Sequence, residues 1–422
     1  VIRAGFGTRE LPVPRGAPLA GNGSLGRRAV GVAVPLRARA LALEGPTGTV
    51  ALVIADLMCA TAALSRAVAS RTPVPTLVAA THTHHGPGGL FDGGVHAWLS
   101  AARPATAEGV VGPLADAMAD AVADAVRDLA PAEVALGEAA CWGVSRRSWP
   151  AGEPLAADAP AGLPPAHRAV DPRVRALVFR SARGTRALVT FGAHATALGP
   201  RFDHAHPDWP GLAADALAGR GLDAVFGLSG AGDVNVLADD LPQGPALARR
   251  VAERVTAAAE EAVRRAVPVV ASASALRSGT VDLTGGGRWA FGLAALGGAP
   301  DGATALHRLL RGGLRRAGPD PKVVVGGALA RVLGAPGVVP VYVLDLGGVL
   351  VATAPGELTA RAALALEAVR AGVPTLPLSY CGDYAGYLTT PEEYDLQRYE
   401  GASTLWGRDT LARLLAAHAA LA

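Results

Sequence analysis

Short apolar runs rich in β-branched residues recur along this chain, and most give way to a turn or to a segment with helical periodicity. They fall at residues 1–6, 30–44, 50–56, 74–80, 133–136, 174–179, 187–191, 224–228, 339–344 and 349–353. Between them, Leu114, Met118, Val122 and Val126 mark a helix opening at Pro113, and Leu247, Val251, Val255, Ala259 and Val263 mark a second. Two more helices are expected at 359–371 and 410–420. Strands alternating with helices predict an α/β fold: one large domain over residues 1–422, with a central, mainly buried mixed β-sheet flanked by helices. The stretches 150–165 and 285–321 read as surface loops or lids, and no internal repeat is visible.

Composition narrows the function classes. Half the residues are hydrophobic and 18% are charged, which describes a packed globular chain. The net charge is only +3, with no basic cluster, which argues against a nucleic-acid partner. Cys59, Cys141 and Cys381 are odd in number and far apart, so neither a disulfide framework nor a thiolate metal site is expected. No apolar run is long enough for a transmembrane helix. No signal peptide starts at Val1, but neither does an initiating Met. The expectation is a secreted or periplasmic protein if a leader was removed, and a cytoplasmic one otherwise. Oligomeric state is left open.

The chemistry concentrates at THTHHGPGG, residues 81–89, directly after the apolar run 74–80. Residues two apart on a strand share a face, so His82 and His84 are expected side by side. Such a pair serves a metal site or an acid/base site, or is simply hydrogen-bonded at a strand end. His194 ends another apolar run, in FGAHATALGP. In ATAPGELTAR the Pro355-Gly356 turn leaves Glu357 near a helix N-terminus, where a carboxylate is favoured. Residues 384–407 hold four of the six tyrosines. Asp56 ends a strand as a supporting carboxylate, and Asp116, Asp120, Asp124 and Asp128 read as a solvated helix face. In DHAHPD, His204 and His206 are a weaker candidate for a second metal, with Asp208 as a cap before the Pro210 helix.

AGFGTRELP (4–12), THTHHGPGG, FGAHAT, APGELT and YLTTPEEYDLQRYEGASTLWG (387–407) together resemble the catalytic domain of the neutral ceramidases. The resemblance spans essentially the whole chain. It implies a zinc-dependent hydrolase of an N-acyl amide bond, acting on N-acylsphingosine or a related small-molecule or lipid N-acyl amine through metal-activated water. It also implies one zinc ion per chain, held by His82, His194, Glu357 and Tyr387. His84 is then the proton donor or hydrogen-bond partner at the scissile amide. Arg147, with Arg146 as its neighbouring rival, and Tyr399 polarise the carbonyl or bind the polar head. The family carries a serine where this chain has Asn235, which cannot be an acyl nucleophile but can donate a hydrogen bond to substrate. His85 also stands where a small hydroxyl residue is expected. No immunoglobulin-like C-terminal domain is expected after the tyrosine segment. Two other readings stay open: an amide-forming acyltransferase on the same site, and a catalytically silent relative that binds lipid or metal.

Overall fold

The computed structural model describes residues 1–21, 27–90, 108–148, 154–238, 240–284, 337–396 and 398–421. The loop expected at 285–321 and Lys322 lie outside them, as does the beginning of the one at 150–165. Among the described residues, nine strands form the main sheet, and it is built in two halves of the same design. The first half is β1 (Ile2–Glu10), β2 (Arg37–Gly45), β3 (Gly48–Ala55) and β4 (Thr76–Ala80), in the order β4-β3-β2-β1. The second is β5 (Ala130–Ala140), β7 (Arg173–Ser181), β8 (Gly184–Phe191) and β9 (Leu222–Leu228), in the order β5-β7-β8-β9. Strand β6 (Ser145–Arg147) leaves the sheet to pair with β10 (Val234–Val236), and β11 (Val267–Pro268) adds to β5.

Each half contains an antiparallel hairpin, β2–β3 or β7–β8, followed by a parallel strand reached through a helix. The connecting helices are α1 (Ala62–Ala69) and, after the single turn α3 (Pro165–Arg168), α4 (Asp208–Ala218). A long helix then returns over the sheet: α2 (Glu108–Arg127) over β1 and β2, α5 (Pro245–Arg265) over β5 and β7. Glycines permit the close seating. A Cβ at Gly5 would fall 2.1 Å from the Ala125 carbonyl oxygen, and one at Gly137 would fall 2.0 Å from that of Ala262. The repeat escapes sequence inspection because it is a repeat of path, not of residues.

A second, four-stranded sheet covers the other face: β12 (Ala271–Asp282), β13 (Val338–Gly347), β14 (Leu350–Thr353) and β16 (Thr375–Leu378). Its Leu344, Leu346, Val351, Leu376 and Leu378 share one buried cluster with Leu41, Leu52, Ile54, Phe179 and Val225 of the main sheet. The chain leaving β16 then binds the sheet's two edges together. Ser379 N donates to Leu228 O at the end of β9 (2.8 Å), and Gly382 N donates to Val78 O on β4 (2.9 Å). Next to this junction, β15 (Glu357–Leu358) and β17 (Tyr387–Leu388) form a two-residue parallel ladder in which Glu357 pairs with Tyr387. Helices α6 (Ala360–Glu367), α7 (Pro391–Leu396), α8 (Tyr399–Ala402) and α9 (Thr410–Leu421) complete the described chain.

The α/β architecture agrees with the sequence reading, with local differences. The strand expected from residue 30 begins at Arg37, because Val30 and Val32 are exposed and Pro35 has no N–H for a ladder. Helix α2 starts before Pro113, at Glu108. Helix α6 stops at Glu367, short of residue 371, with Ala368 as its C-cap.

Candidate metal centre

His82 does not sit on the strand. Strand β4 ends at Ala80, and His82 adopts φ 61°, a left-handed conformation that breaks the pleat, so alternation along a strand is not what unites the two histidines. The turn brings them together instead, with His84 Nε2 3.2 Å from His82 Nε2. His194 follows β8 and is fixed at three points. Its N–H donates to Val234 O (2.8 Å), its carbonyl accepts from Trp209 Nε1 (2.9 Å), and its Nδ1 lies 2.8 Å from Ala231 O. Trp209 is fully buried between Phe191 and Phe226, which makes it a rigid donor. Among the described residues, His82, His84 and His194 are the group able to hold a metal, with ligand atoms within 4.8 Å of one another.

Protonation decides what these atoms offer. A carbonyl oxygen only accepts, so His82 Nδ1, 2.6 Å from Met58 O, carries the ring's proton, as does His194 Nδ1 against Ala231 O. Both Nε2 atoms are therefore lone-pair acceptors, yet they face each other at 3.0 Å. Glu357 Oε2 joins them at 3.6 Å from His82 Nε2 and 3.4 Å from His194 Nε2, buried and without a hydrogen-bond donor. Burial, and then the neighbouring imidazoles, push His82 well below the usual histidine range, so the His82 ring does not resolve the conflict by taking a second proton. Three buried ligand atoms converging in this way form a seat for a cation.

Glu357 is held in place by tyrosines. Tyr384 OH donates to its Oε1, the Tyr380 and Tyr387 phenols lie beside the carboxylate, and the Tyr380 ring stacks on His82 with centroids 3.9 Å apart. Burial pushes the Glu357 carboxyl up, opposed by His194 and the phenols. Burial and then the Glu357 charge push the phenols of Tyr380 and Tyr384 well above their ordinary range, so both remain donors. Sequence reasoning named Tyr387 as a site residue and did not name Tyr380 or Tyr384. Only the density of tyrosines hinted at Tyr384, and nothing marked Tyr380.

The remaining candidates fall into two places. His84 is half-buried and pushed well down by burial and by His194. Tyr399 is 55% exposed, its ring edge-on to Tyr387 at 5.7 Å. Asn235 is exposed on β10 and donates through Nδ2 to Ser148 Oγ (3.1 Å). Arg147 is buried, with Nε 2.5 Å from Asp233 Oδ2 and Nη2 on Glu393. Asp233 in turn accepts from Ala360 N (2.8 Å), and Glu393 accepts from Thr359 Oγ1 (2.5 Å), so Arg147 braces the start of α6 directly beyond Glu357. Arg146 is the exposed neighbour, opposite Asn235 in the ladder.

The second HxH is not assembled. His204 is exposed beside Asp203, and buried His206 accepts from Asp208 N at Nδ1 (2.9 Å). Asp208 is not the helix cap expected: it is the first residue of α4, whose N-cap is Pro207 without a side-chain cap bond, and it accepts instead from Ala197 N, Leu198 N and Trp209 N. Asp56 is buried in a charged cluster with Arg39, and Asp128 accepts from Phe6 N, Arg183 and Arg186.

Comparison with known proteins follows the same lines. Residues 319–416 match the family described as neutral/alkaline non-lysosomal ceramidase, N-terminal. The chain is 30% identical over 411 residues to the neutral ceramidase of Mycobacterium tuberculosis, covering 82% of this chain and 63% of that protein. The chain belongs to the neutral ceramidase family. Neutral ceramidase 2 of Arabidopsis thaliana is 32% identical over 133 residues, 26% of this chain and 18% of the plant protein. The chain thus spans less than two thirds of the length of these family members. The crystal structure of neutral ceramidase from Pseudomonas aeruginosa superposes with a TM-score of 0.79 at 23% identity, covering all of this chain and 74% of that one. The ceramidase fold is therefore shared, including the large mixed sheet flanked by helices.

Proposed function

We propose that this chain is a zinc-dependent hydrolase of N-acyl amide bonds, acting on N-acylsphingosine or a related N-acyl amine. The observation that carries this reading is the convergence of His82 Nε2, His194 Nε2 and Glu357 Oε2, three buried ligand atoms 3.0, 3.6 and 3.4 Å apart. Two neutral imidazoles and a carboxylate fit zinc, and Tyr387, in ladder register with Glu357, supplies a fourth oxygen. Bound there, zinc supplies Lewis-acid activation of water and of the amide carbonyl. The relatives' names, neutral ceramidases, support the substrate class.

The chain's own groups do the rest. His84, half-buried beside the cluster, is placed to give a proton to the departing amine. The half-exposed Tyr399 phenol donates toward the substrate carbonyl. Arg147 acts through others, keeping Asp233 and Glu393 in place behind Glu357. A second ligand set, with His84 in place of Tyr387, is favoured by the position of its Nε2, 3.2 Å from that of His82.

The test is release of free amine from ceramide, simple N-acyl amines and N-acyl amino acids, with and without a zinc chelator, alongside metal analysis. Chelator-sensitive cleavage and one zinc per chain are expected, with zinc lost in His82→Ala and His194→Ala. Whichever of Tyr387→Phe and His84→Ala lowers zinc affinity identifies the fourth ligand. Full zinc retention in both histidine variants refutes the ligand assignment. Zinc without turnover favours the silent relative, and amide synthesis from free acid and amine favours the acyltransferase.

A further inference from the structure

Among the described residues, three other than glycine have positive φ, and two of them, His82 and Tyr380, both lie at φ 61°. Left-handed backbone is strained for a bulky side chain and persists where its surroundings over-determine it. The two strained residues meet face to face. The Tyr380 ring stacks on the His82 imidazole with centroids 3.9 Å apart and planes 17° apart, and both residues are buried. The rings of His84 and His194 meet His82 edge-on instead. Met58 O fixes one atom of the imidazole, Nδ1 at 2.6 Å. The χ2 torsion of a histidine is soft, so one hydrogen bond leaves the ring able to tilt, and a flat wall against its face removes that freedom. Tyr380 also reaches a second ligand segment, because its N–H donates to Gly356 O (3.1 Å), the carbonyl directly before Glu357. Its neighbours hold it there: Ser379 N donates to Leu228 O and Cys381 N to Ala354 O. The ring and the backbone make these contacts. The Tyr380 hydroxyl is buried and has no hydrogen-bond partner among the described residues.

We infer that Tyr380 is a positioning residue of the metal centre: its ring fixes the plane of the His82 imidazole, and its backbone ties that ring to the segment carrying Glu357. The stack also responds to the ion. A metal on Nε2 draws charge from the imidazole, and the electron-rich face of a phenol ring is attracted to a more positive neighbour. The stack is therefore stronger in the loaded protein than in the empty one, and by reciprocity the ring raises metal affinity. The inference rests on the proposed function for the identity of the ion, but not for the hold on His82.

The test compares Tyr380→Leu, which removes the ring, with the conservative Tyr380→Phe, which removes only the hydroxyl. Phe179→Leu is the control for lost packing, since Phe179 is fully buried but sits opposite Arg186, eight residues before His194 along the chain. Zinc affinity is read by competition with a chromophoric chelator, and ligand geometry by the visible absorption of the cobalt-substituted protein. Tyr380→Leu should weaken zinc by about tenfold to a hundredfold, the usual loss when the support of a ligand is removed, and should alter the cobalt bands. Tyr380→Phe and Phe179→Leu should stay within about threefold of wild type and keep its cobalt spectrum. A second readout needs no metal. In chelator, the buried His82 Nδ1 proton should exchange slowly with water in wild type, Tyr380→Phe and Phe179→Leu, and about tenfold faster or more in Tyr380→Leu. If Tyr380→Leu does not fold, Tyr380→Met, which fills space without a flat face, replaces it with the same expectations. Wild-type zinc affinity in the ring-free variant, or an equal loss in Tyr380→Phe or Phe179→Leu, overturns the inference. So does an unchanged exchange rate in the ring-free variant. If the wild type binds neither metal but the exchange rates follow the expected pattern, the zinc reading falls and the hold of Tyr380 on His82 stands.

Discussion

Replacing Glu357 by Gln should stabilise the metal-free protein while weakening metal binding. In the metal-free state Glu357 Oε2 is a buried anionic oxygen facing two imidazole lone pairs at 3.4 and 3.6 Å. An unpaired buried acceptor costs about 1–3 kcal/mol, and a charged one costs more. The glutamine keeps one oxygen for the Tyr384 hydroxyl and puts an NH2 where Oε2 stood, within a small rotation of His194 Nε2. The gain in chelator should thus be about 2–3 kcal/mol, read as a shift of the urea midpoint at unchanged slope. Its pH dependence has a definite sign. The folded-state Glu357 carboxyl is raised, so metal-free wild type is most stable where that group is protonated and loses stability as pH rises through the raised value. The advantage of the glutamine should therefore widen with pH. With metal the order reverses, since a neutral amide oxygen is a poorer ligand, and zinc content should fall below one per chain. A glutamine variant less stable than wild type in chelator at high pH would show the carboxylate satisfied without a cation, and the argument for the metal seat would fail.

Two further predictions probe the supports. Arg147→Met leaves the buried carboxylates of Asp233 and Glu393 without their counter-charge and should cost about 3–5 kcal/mol in denaturation; a raised KM at unchanged stability would instead make Arg147 a substrate contact. Burial holds His206 down at about 4, so its contribution is present above the ordinary histidine value and is lost as pH falls through 4, by about 3 kcal/mol at that pH. Burial raises Asp208 to about 6, and it gains stability over the same descent. His206→Asn keeps an acceptor for Asp208 N and should be more stable than wild type by about 3 kcal/mol near pH 4 but not near pH 7. Parallel pH profiles for the two proteins would refute this.

What could be read from the residues depended on whether the relevant physics was local. Strands β3, β7, β8 and β9 announced themselves because each is an apolar run bounded by turns. Strand β12, ASASALRSGTVD, did not, since its residues are mostly small or polar and its pairing is set by β13, more than fifty residues on. The histidines of the metal centre were visible as a motif, but the reason they meet was not. It lies in the left-handed turn at His82 and in the segment after β16 that ties two sheet edges together. Arg147 shows the same limit. The family resemblance implies a substrate contact, and only Asp233 and Glu393, 86 and 246 residues away, make it a buried brace.

The carbonyls of Met58 and Ala231, which fix the two metal-facing imidazoles, belong to the backbone. Substitution at either position changes a side chain but cannot delete the group that orients the ring. Where an orienting group is a carboxylate side chain, one codon change removes it. Here the orientation is as durable as the path of the chain. The histidines can therefore stay poised while the sequence around them drifts, and substitutions nearby need not loosen the centre they surround.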